Sequence, residues 1–206
     1  MNYTPESRVA FGVGAFVLAG GASSRMGRDK ALLPAGDKFL LAHLVEILQS
    51  LSPEVLVIAP LGRYETLGFT TLQDQRIDCG PLAGIETALA NTKFEWNLIL
   101  ACDLPNINRD WLLALCSAAH LASPTLRCIA TGLSTAEPNP LLAIWHRDAL
   151  PTVRKFLDSG EFRVRTVLKS LESQILIPPD SRILANWNRP EDILEEPGEG
   201  KANRGC

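Results

Sequence analysis

Short apolar runs alternate with segments of helical periodicity along most of the chain, and this alternation constrains the fold more than any other feature. The clearest run is residues 97–102 (NLILAC), a continuous apolar stretch typical of a central parallel strand. Residues 14–18 and 54–59 have the same character, whereas residues 39–51 carry apolar side chains at helical spacing. We therefore predict a single three-layer α/β/α domain with a mostly parallel, Rossmann-like sheet.

Further segments continue the alternation. We predict additional strands at residues 70–73, 127–131, 141–145 and 174–177, and helices at residues 81–91, 108–119, 148–157, 163–171 and 189–195. Asn108 is expected to cap its helix. The domain is predicted to span residues 1–195, and the polar, glycine-rich tail at 196–206 is predicted to be disordered.

Ligands of open parallel sheets bind outside the carboxyl ends of the strands. The loops that follow Leu18, Ala59, Gln73 and Cys102 are therefore expected to form the functional edge of the sheet.

Composition excludes several classes of function. The 206-residue chain is 46% hydrophobic with a formal net charge of -3, which argues against a nucleic-acid-binding protein. No apolar run is long enough to span a bilayer, and no signal peptide is recognised, so no membrane association is expected. The five cysteines lack paired spacing, which favours reduced thiols and a cytoplasmic location.

A glycine-rich segment follows the first strand, and residues 18–33 read LAGGASSRMGRDKALL. Gly20 and Gly21 allow the backbone to approach a phosphate closely, and N–H groups in such a turn can bind an anion. Arg25 and Lys30 would add positive charge. The spacing matches neither a Walker A motif nor a dinucleotide fingerprint. The alternative interpretation is a flexible turn with solvated charges.

Two aspartates follow predicted strands. Asp103 ends the apolar run at 97–102, where a carboxylate can hold Mg²⁺ against phosphates. The alternative role for Asp103 is a helix cap, for which Asn108 is better placed. Asp74 precedes the string GPLAGI at residues 80–85, and by itself it would be an ordinary loop aspartate. Asp78 receives no assignment.

The strings LAGGxSSRMGxDKALL and DxxxDCGPLAGI resemble those of the MobA-like molybdenum cofactor guanylyltransferases. The resemblance implies a nucleotide-diphospho-sugar transferase-like fold and transfer of GMP from GTP to the terminal phosphate of molybdopterin, with Mg²⁺ as cofactor. Catalytic roles are implied for Arg25, Lys30 and Asp103, with Asp103 as the metal ligand. Nucleotide-binding roles are implied for Leu18, Ala19, Gly20, Gly21, Lys30, Asp74, Gly84 and Asp103.

The last third of the chain contains two further strings that resemble this family. Residues 160–164 read GEFRV and residues 186–192 read NWNRPED. The resemblance implies that Arg163, Asn186 and Asn188 bind the molybdopterin acceptor. The alternatives are a solvated helix face for Arg163 and a helix cap for Asn188. The loop after the second strand, IAPLGR at 58–63, departs from the family by lacking an asparagine.

Two other functions compete with this interpretation. One is a cytidylyl- or sugar-phosphate nucleotidyltransferase on the same fold, and the other is a non-catalytic nucleotide-binding protein. Arg25, Lys30 and Asp103 together favour an enzyme. The expected small-molecule partners are GTP and molybdopterin, and the candidate protein partners are molybdenum-insertion proteins and molybdoenzyme chaperones.

Overall fold

The computed structural model describes residues 12–20 and 29–187. Its strands are β1 (Gly14–Leu18), β2 (Pro34–Ala35), β3 (Lys38–Phe39), β4 (Val55–Ile58), β5 (Thr71–Leu72), β6 (Trp96–Ala101), β7 (Cys128–Gly132), β8 (Pro138–His146) and β9 (Ser173–Leu176). Its α-helices are α1 (Leu40–Gln49), α2 (Pro81–Ala90), α3 (Arg109–His120), α4 (Leu150–Asp158) and α5 (Val164–Ser170).

Seven of these strands form one sheet in the order β5-β4-β1-β6-β8-β7-β9. β1 pairs in parallel with β4 and β6, β4 with β5, and β7 with β9. Only β8, among the paired strands of this sheet, runs antiparallel to its neighbours β6 and β7. The predicted mostly parallel sheet is therefore confirmed.

Helices cover both faces of the sheet because side chains along each strand point alternately to opposite sides. Val17 and Leu98 pack in the core beneath α1 and α3. Phe16 and Ile99 pack in the second core, beneath α2, α4 and α5. The three-layer arrangement predicted from the sequence is confirmed. Among the described residues, no helix combines the length and the apolar character needed to cross a bilayer.

The predicted elements match the structure to within a few residues, and the differences have local causes. Asn108 caps α3 as expected, because its side chain accepts a hydrogen bond from the Trp111 amide at 2.9 Å. α5 begins at Val164, so Arg163 lies at the N-cap and not inside the helix. There the Glu161 carboxylate accepts from the Arg163 amide at 2.9 Å. The short β2–β3 hairpin was not predicted.

The helix predicted at 189–195 and the disordered tail predicted at 196–206 lie outside the described residues. The assignment of residues 1–195 to one domain stays a prediction.

The connections between strands reverse direction between β1 and β6. From β1 the chain moves outward to β4 and β5, and it then returns through α2 to β6 on the other side of β1. Crevices for ligands open at such reversals, beyond the carboxyl ends of the strands. The ends of β1 and β6 lie side by side there, with Leu18 opposite Ala101.

Candidate functional site

A cavity of about 510 Å³ opens at this reversal. Three of the four predicted loops contribute to its wall, through Gly20 after β1, Asp74 after β5 and Asp103 after β6. The loop after Ala59 is the exception, because β4 contributes only its last residue, Ile58. The start of α2 closes another side. The predicted functional edge of the sheet therefore coincides with a real cavity.

Lys30 and Asp103 meet on the wall of this cavity. The Lys30 Nζ atom lies 3.6 Å from the Asp103 Oδ2 atom, and the two side chains are 18% and 20% exposed. Burial raises the pKa of the Asp103 carboxyl, and the positive charge of Lys30 opposes that shift. The pair brings a lysine side chain and a carboxylate together on one wall, an arrangement that can neutralise charge on a bound ligand.

Asp74 occupies the opposite side of the cavity and is held by α2. Its Oδ1 atom accepts a hydrogen bond from the Thr87 hydroxyl at 2.9 Å. A Cβ atom added to Gly20 would lie 3.9 Å from the Asp74 Oδ2 atom, so the second oxygen faces the end of β1. Burial raises the pKa of Asp74, the Thr87 hydrogen bond lowers it, and nearby Glu86 raises it.

A cluster of charged side chains fastens the loop after β5 to α2. The buried carboxylate of Glu86 accepts from Arg76 Nε at 2.8 Å and from Arg154 Nε at 3.1 Å. Arg76 also contacts Asp158 on α4 at 2.7 Å. Because Arg76 lines the cavity, this cluster fixes part of the cavity wall. A buried carboxylate with two charged partners avoids the cost of an unpaired ion.

Gly84 allows α2 to approach the end of β1. A Cβ atom at this position would lie 3.0 Å from the Leu18 Cδ2 atom, which is tighter than an ordinary contact. Leu18, Ala19 and Gly84 all line the cavity. Asp78, to which the sequence assigned no role, also lines it and has a φ of 59°.

A second cavity, of about 770 Å³, lies beside the first. The segment 103–105 joins them, because Asp103 lines the first and Pro105 lines the second. Asn186 is on the wall of the second cavity, and the amide of its neighbour Trp187 donates to the Asp103 carbonyl at 3.0 Å. Asn186 is therefore one residue away from a direct contact with the backbone of Asp103.

Arg163 occupies a different place. Its guanidinium contacts Glu161 at 2.7 Å, its side chain is 81% exposed, and it lines neither of the two cavities. Three further predicted site residues, Gly21, Arg25 and Asn188, lie outside the described residues.

Asp103 is the residue whose carboxylate could serve as a ligand of a metal ion. Within residues 12–20 and 29–187, no three His, Cys, Asp or Glu side chains are grouped so that they could hold a metal by themselves. Mg²⁺ in nucleotide sites commonly uses one or two carboxylates together with waters and substrate phosphates. A single partly buried carboxylate on the wall of a cavity is compatible with that mode.

The fold and the cavity together place the chain among the doubly wound α/β proteins that bind ligands at a reversal of strand order. It belongs to the MobA-like NTP transferase domain family, whose model matches residues 15–175.

Relatives and a solved structure agree with this family. The chain is 39% identical over 184 residues to a probable molybdenum cofactor guanylyltransferase of Carboxydothermus hydrogenoformans, covering 85% of this chain and 90% of the relative. It is 32% identical over 187 residues to the molybdenum cofactor guanylyltransferase of Syntrophotalea carbinolica, covering 87% and 88%. The crystal structure of molybdopterin-guanine dinucleotide biosynthesis protein A from Archaeoglobus fulgidus superposes with a TM-score of 0.75 at 20% identity, covering 88% and 95%.

Sequence reasoning missed several residues that shape the cavity. Asp29 and Arg76 line it, although neither was assigned a role. Glu86 and Thr87, which hold Arg76 and Asp74, lie on a helix whose residues are buried from Leu82 to Leu89. A polar pair inside such an apolar helix was the signal that could have identified them, because buried polar side chains need specific partners.

Replacement of Asp74 by asparagine should stabilise the protein in a pH-dependent manner. The folded-state pKa of Asp74 is raised, so its ionisation costs stability as pH rises from the unfolded-state value of about 4. Asparagine has no such ionisation and can still accept from Thr87. The melting temperature of Asp74→Asn should therefore exceed that of the wild type at neutral pH, and the difference should shrink as pH falls below about 4.

Thermal unfolding monitored by circular dichroism checks this expectation. The control is Asp148→Asn, because Asp148 is exposed and lines neither cavity, and it should give no comparable gain. If the melting temperature of Asp74→Asn exceeds that of the wild type by the same amount at neutral pH and below about pH 4, ionisation of Asp74 does not lower the stability of the folded protein.

Proposed function

We propose that this protein transfers GMP from GTP to the terminal phosphate of molybdenum-bearing molybdopterin, forming molybdopterin guanine dinucleotide and releasing pyrophosphate. The observation that carries the proposal is the Lys30–Asp103 pair, 3.6 Å apart, on the cavity at the ends of β1 and β6. Membership of the MobA-like family and relatives with the guanylyltransferase name support the same activity.

The proposed nucleotide site uses the wall of the first cavity. The backbone of Leu18, Ala19 and Gly20 borders the phosphates, with Gly21 continuing the segment. Lys30 and Arg25 neutralise charge on the triphosphate. Asp74 contacts the nucleoside through the oxygen that Thr87 leaves available, and Gly84, which lets α2 pack closely against Leu18, borders the same site.

The proposed acceptor site is the second cavity, because it adjoins Asp103 and contains Asn186. The terminal phosphate of molybdopterin would enter from this side and meet the α-phosphate near the segment 103–105. Asn188 follows Asn186 in the chain and is proposed to contact the same acceptor. Arg163, at the N-cap of α5, is proposed to contact the acceptor after release from Glu161.

The reaction is a displacement at phosphorus. An oxygen of the molybdopterin phosphate forms a bond to the α-phosphorus of GTP, while the bond from that phosphorus to the oxygen bridging the β-phosphate breaks. Pyrophosphate leaves with the electron pair. The attacking phosphate is already ionised at neutral pH, so positioning and charge neutralisation carry the catalysis.

Charge neutralisation is assigned to three residues and one ion. Lys30 and Arg25 stabilise negative charge that develops toward the leaving pyrophosphate. Asp103 is proposed to hold Mg²⁺, which when bound supplies further neutralisation of the triphosphate. Burial raises the pKa of Asp103, and the positive charge of Lys30, held within reach of that carboxylate, opposes this rise.

Asp103→Asn should abolish guanylyl transfer while the fold survives. The change keeps the size of the side chain and removes its charge, so the loss should be several kcal/mol of transition-state stabilisation, on the order of a thousandfold or more in rate. The measurement is formation of dinucleotide from GTP and purified molybdopterin, with Asp148→Asn as the control at an exposed position. Near-normal Mg²⁺-dependent turnover by Asp103→Asn would refute the assignment.

Variants at the acceptor site should change the use of molybdopterin without changing GTP affinity. Asn186→Ala removes a polar contact worth about 0.5–1.5 kcal/mol, so KM for molybdopterin should rise roughly two- to tenfold. Arg163→Glu should also impair molybdopterin use, whereas Arg165→Glu makes the same charge change two residues away, inside α5, and should have little effect.

Steady-state kinetics and GTP titrations distinguish the outcomes. If Asn186→Ala has the same KM for molybdopterin as the wild type, the second cavity is not the acceptor site. If Arg163→Glu behaves like Arg165→Glu, the basic residues near α5 form a solvated face.

A further inference from the structure

Tyr64 connects the loop after β4 to the segment that carries Lys30. Its side chain is completely buried, and its hydroxyl lies 2.8 Å from the Asp29 Oδ2 atom and 3.0 Å from the Oδ1 atom. The same hydroxyl is 3.4 Å from the carbonyl oxygen of Ala19. The shorter distances identify the carboxylate as the acceptor of the hydroxyl hydrogen. Tyr64 thus lies between Ala19 and Asp29, which both border the first cavity.

Asp29 has its hydrogen-bonding capacity occupied by neighbouring groups. Besides the Tyr64 hydroxyl, its carboxylate accepts from Arg63 Nε at 2.9 Å and from the Ala31 amide at 3.1 Å. Both oxygens are therefore engaged with protein donors, although Asp29 shares the cavity wall with Asp103. This arrangement suits an anchor, because three protein donors already engage the two carboxylate oxygens.

Anchoring Asp29 also restrains Lys30. Asp29 is the N-cap of the short helical turn Lys30–Leu32, where its side chain satisfies the Ala31 amide. Lys30 is the next residue, and its Nζ atom must remain near Asp103 for the pair at 3.6 Å to persist. A lysine side chain has several rotatable bonds and loses conformational entropy when it contacts a phosphate. If the backbone of Lys30 is already fixed, no further backbone entropy is lost in that step.

We propose that Tyr64, assisted by Arg63, is a positioning residue for Lys30 and acts through Asp29. This inference rests on the proposed function for the role of Lys30 at the phosphates. A positioning role for Tyr64 and Arg63 would also assign a function to the loop after β4, which lacks the asparagine expected from the family resemblance. In this chain the loop supports the site from behind the wall, through a buried hydroxyl and a guanidinium.

Tyr64→Phe tests the proposal, because it retains the ring in the core and removes only the hydroxyl. Loss of a hydrogen bond to a charged group weakens the positioning of Lys30, so nucleotide affinity and kcat/KM should each fall by roughly tenfold. Arg63→Ala removes the other side-chain donor to Asp29 from a partly exposed position. Arg63→Ala should also lower nucleotide affinity and kcat/KM, and it tests the proposal even if Tyr64→Phe folds poorly.

A double-mutant cycle separates positioning from general destabilisation. In a Lys30→Ala background, Tyr64→Phe and Arg63→Ala should cause little further loss, because the residue they position is absent. The control is Ser52→Ala, which removes another buried hydroxyl, bonded to the Val13 carbonyl at 2.7 Å near the amino end of β1. Ser52→Ala should lower the melting temperature and leave nucleotide affinity unchanged in both backgrounds.

Two readouts keep this proposal separate from the proposed function. Affinity is measured for whichever of GTP, CTP, ATP and UTP the wild type binds most tightly, and turnover is measured in parallel. Absence of dinucleotide formation by the wild type would refute the function, while the affinity cycle would still report on Tyr64. The positioning role is overturned if Tyr64→Phe and Arg63→Ala leave affinity unchanged, or if their losses are equally large in the presence and absence of Lys30.

Discussion

The parallel pairing of β1 with β6 is the constraint on which the rest of the site depends. It places Leu18 opposite Ala101 at the point where strand order reverses. The residues that follow these strands must then share one cavity, and Lys30 meets Asp103 at its wall. Lys30 and Asp103 are far apart in the sequence. Their proximity depends on a sheet register that the two apolar cores fix from both faces.

Contacts outside the cavity hold its wall in place on two sides. Tyr64 and Arg63 restrain Asp29 on one side, and Thr87 restrains Asp74 on the other. Such preorganisation reduces the rearrangement needed when a charged substrate binds. It has a cost, because burial raises the pKa values of Asp74 and Asp103 and so disfavours their ionised forms. Perturbed carboxylates of this kind are common at functional sites.

The sequence predicted the parts of the site that follow from local pattern. Asp103 was predictable because an apolar run ends there, and Asn108 because its position matches a helix cap. The contact between Tyr64 and Asp29 joins residues that are 35 positions apart in the sequence, so no local sequence pattern predicts it. Arg163 was placed inside a helix by charge and spacing, whereas the Glu161 carboxylate holds it at the N-cap. Contacts of this type depend on tertiary packing, which periodicity does not encode.

The identity of the nucleotide that is transferred directly tests the proposed guanylyl transfer. Purified protein should be incubated with Mg²⁺ and molybdenum-bearing molybdopterin together with each of GTP, CTP, ATP or UTP, and the products identified by mass. We predict molybdopterin guanine dinucleotide and pyrophosphate with GTP, and little product with the other three. A cytidine dinucleotide as the main product, or no product with any nucleotide, would contradict it.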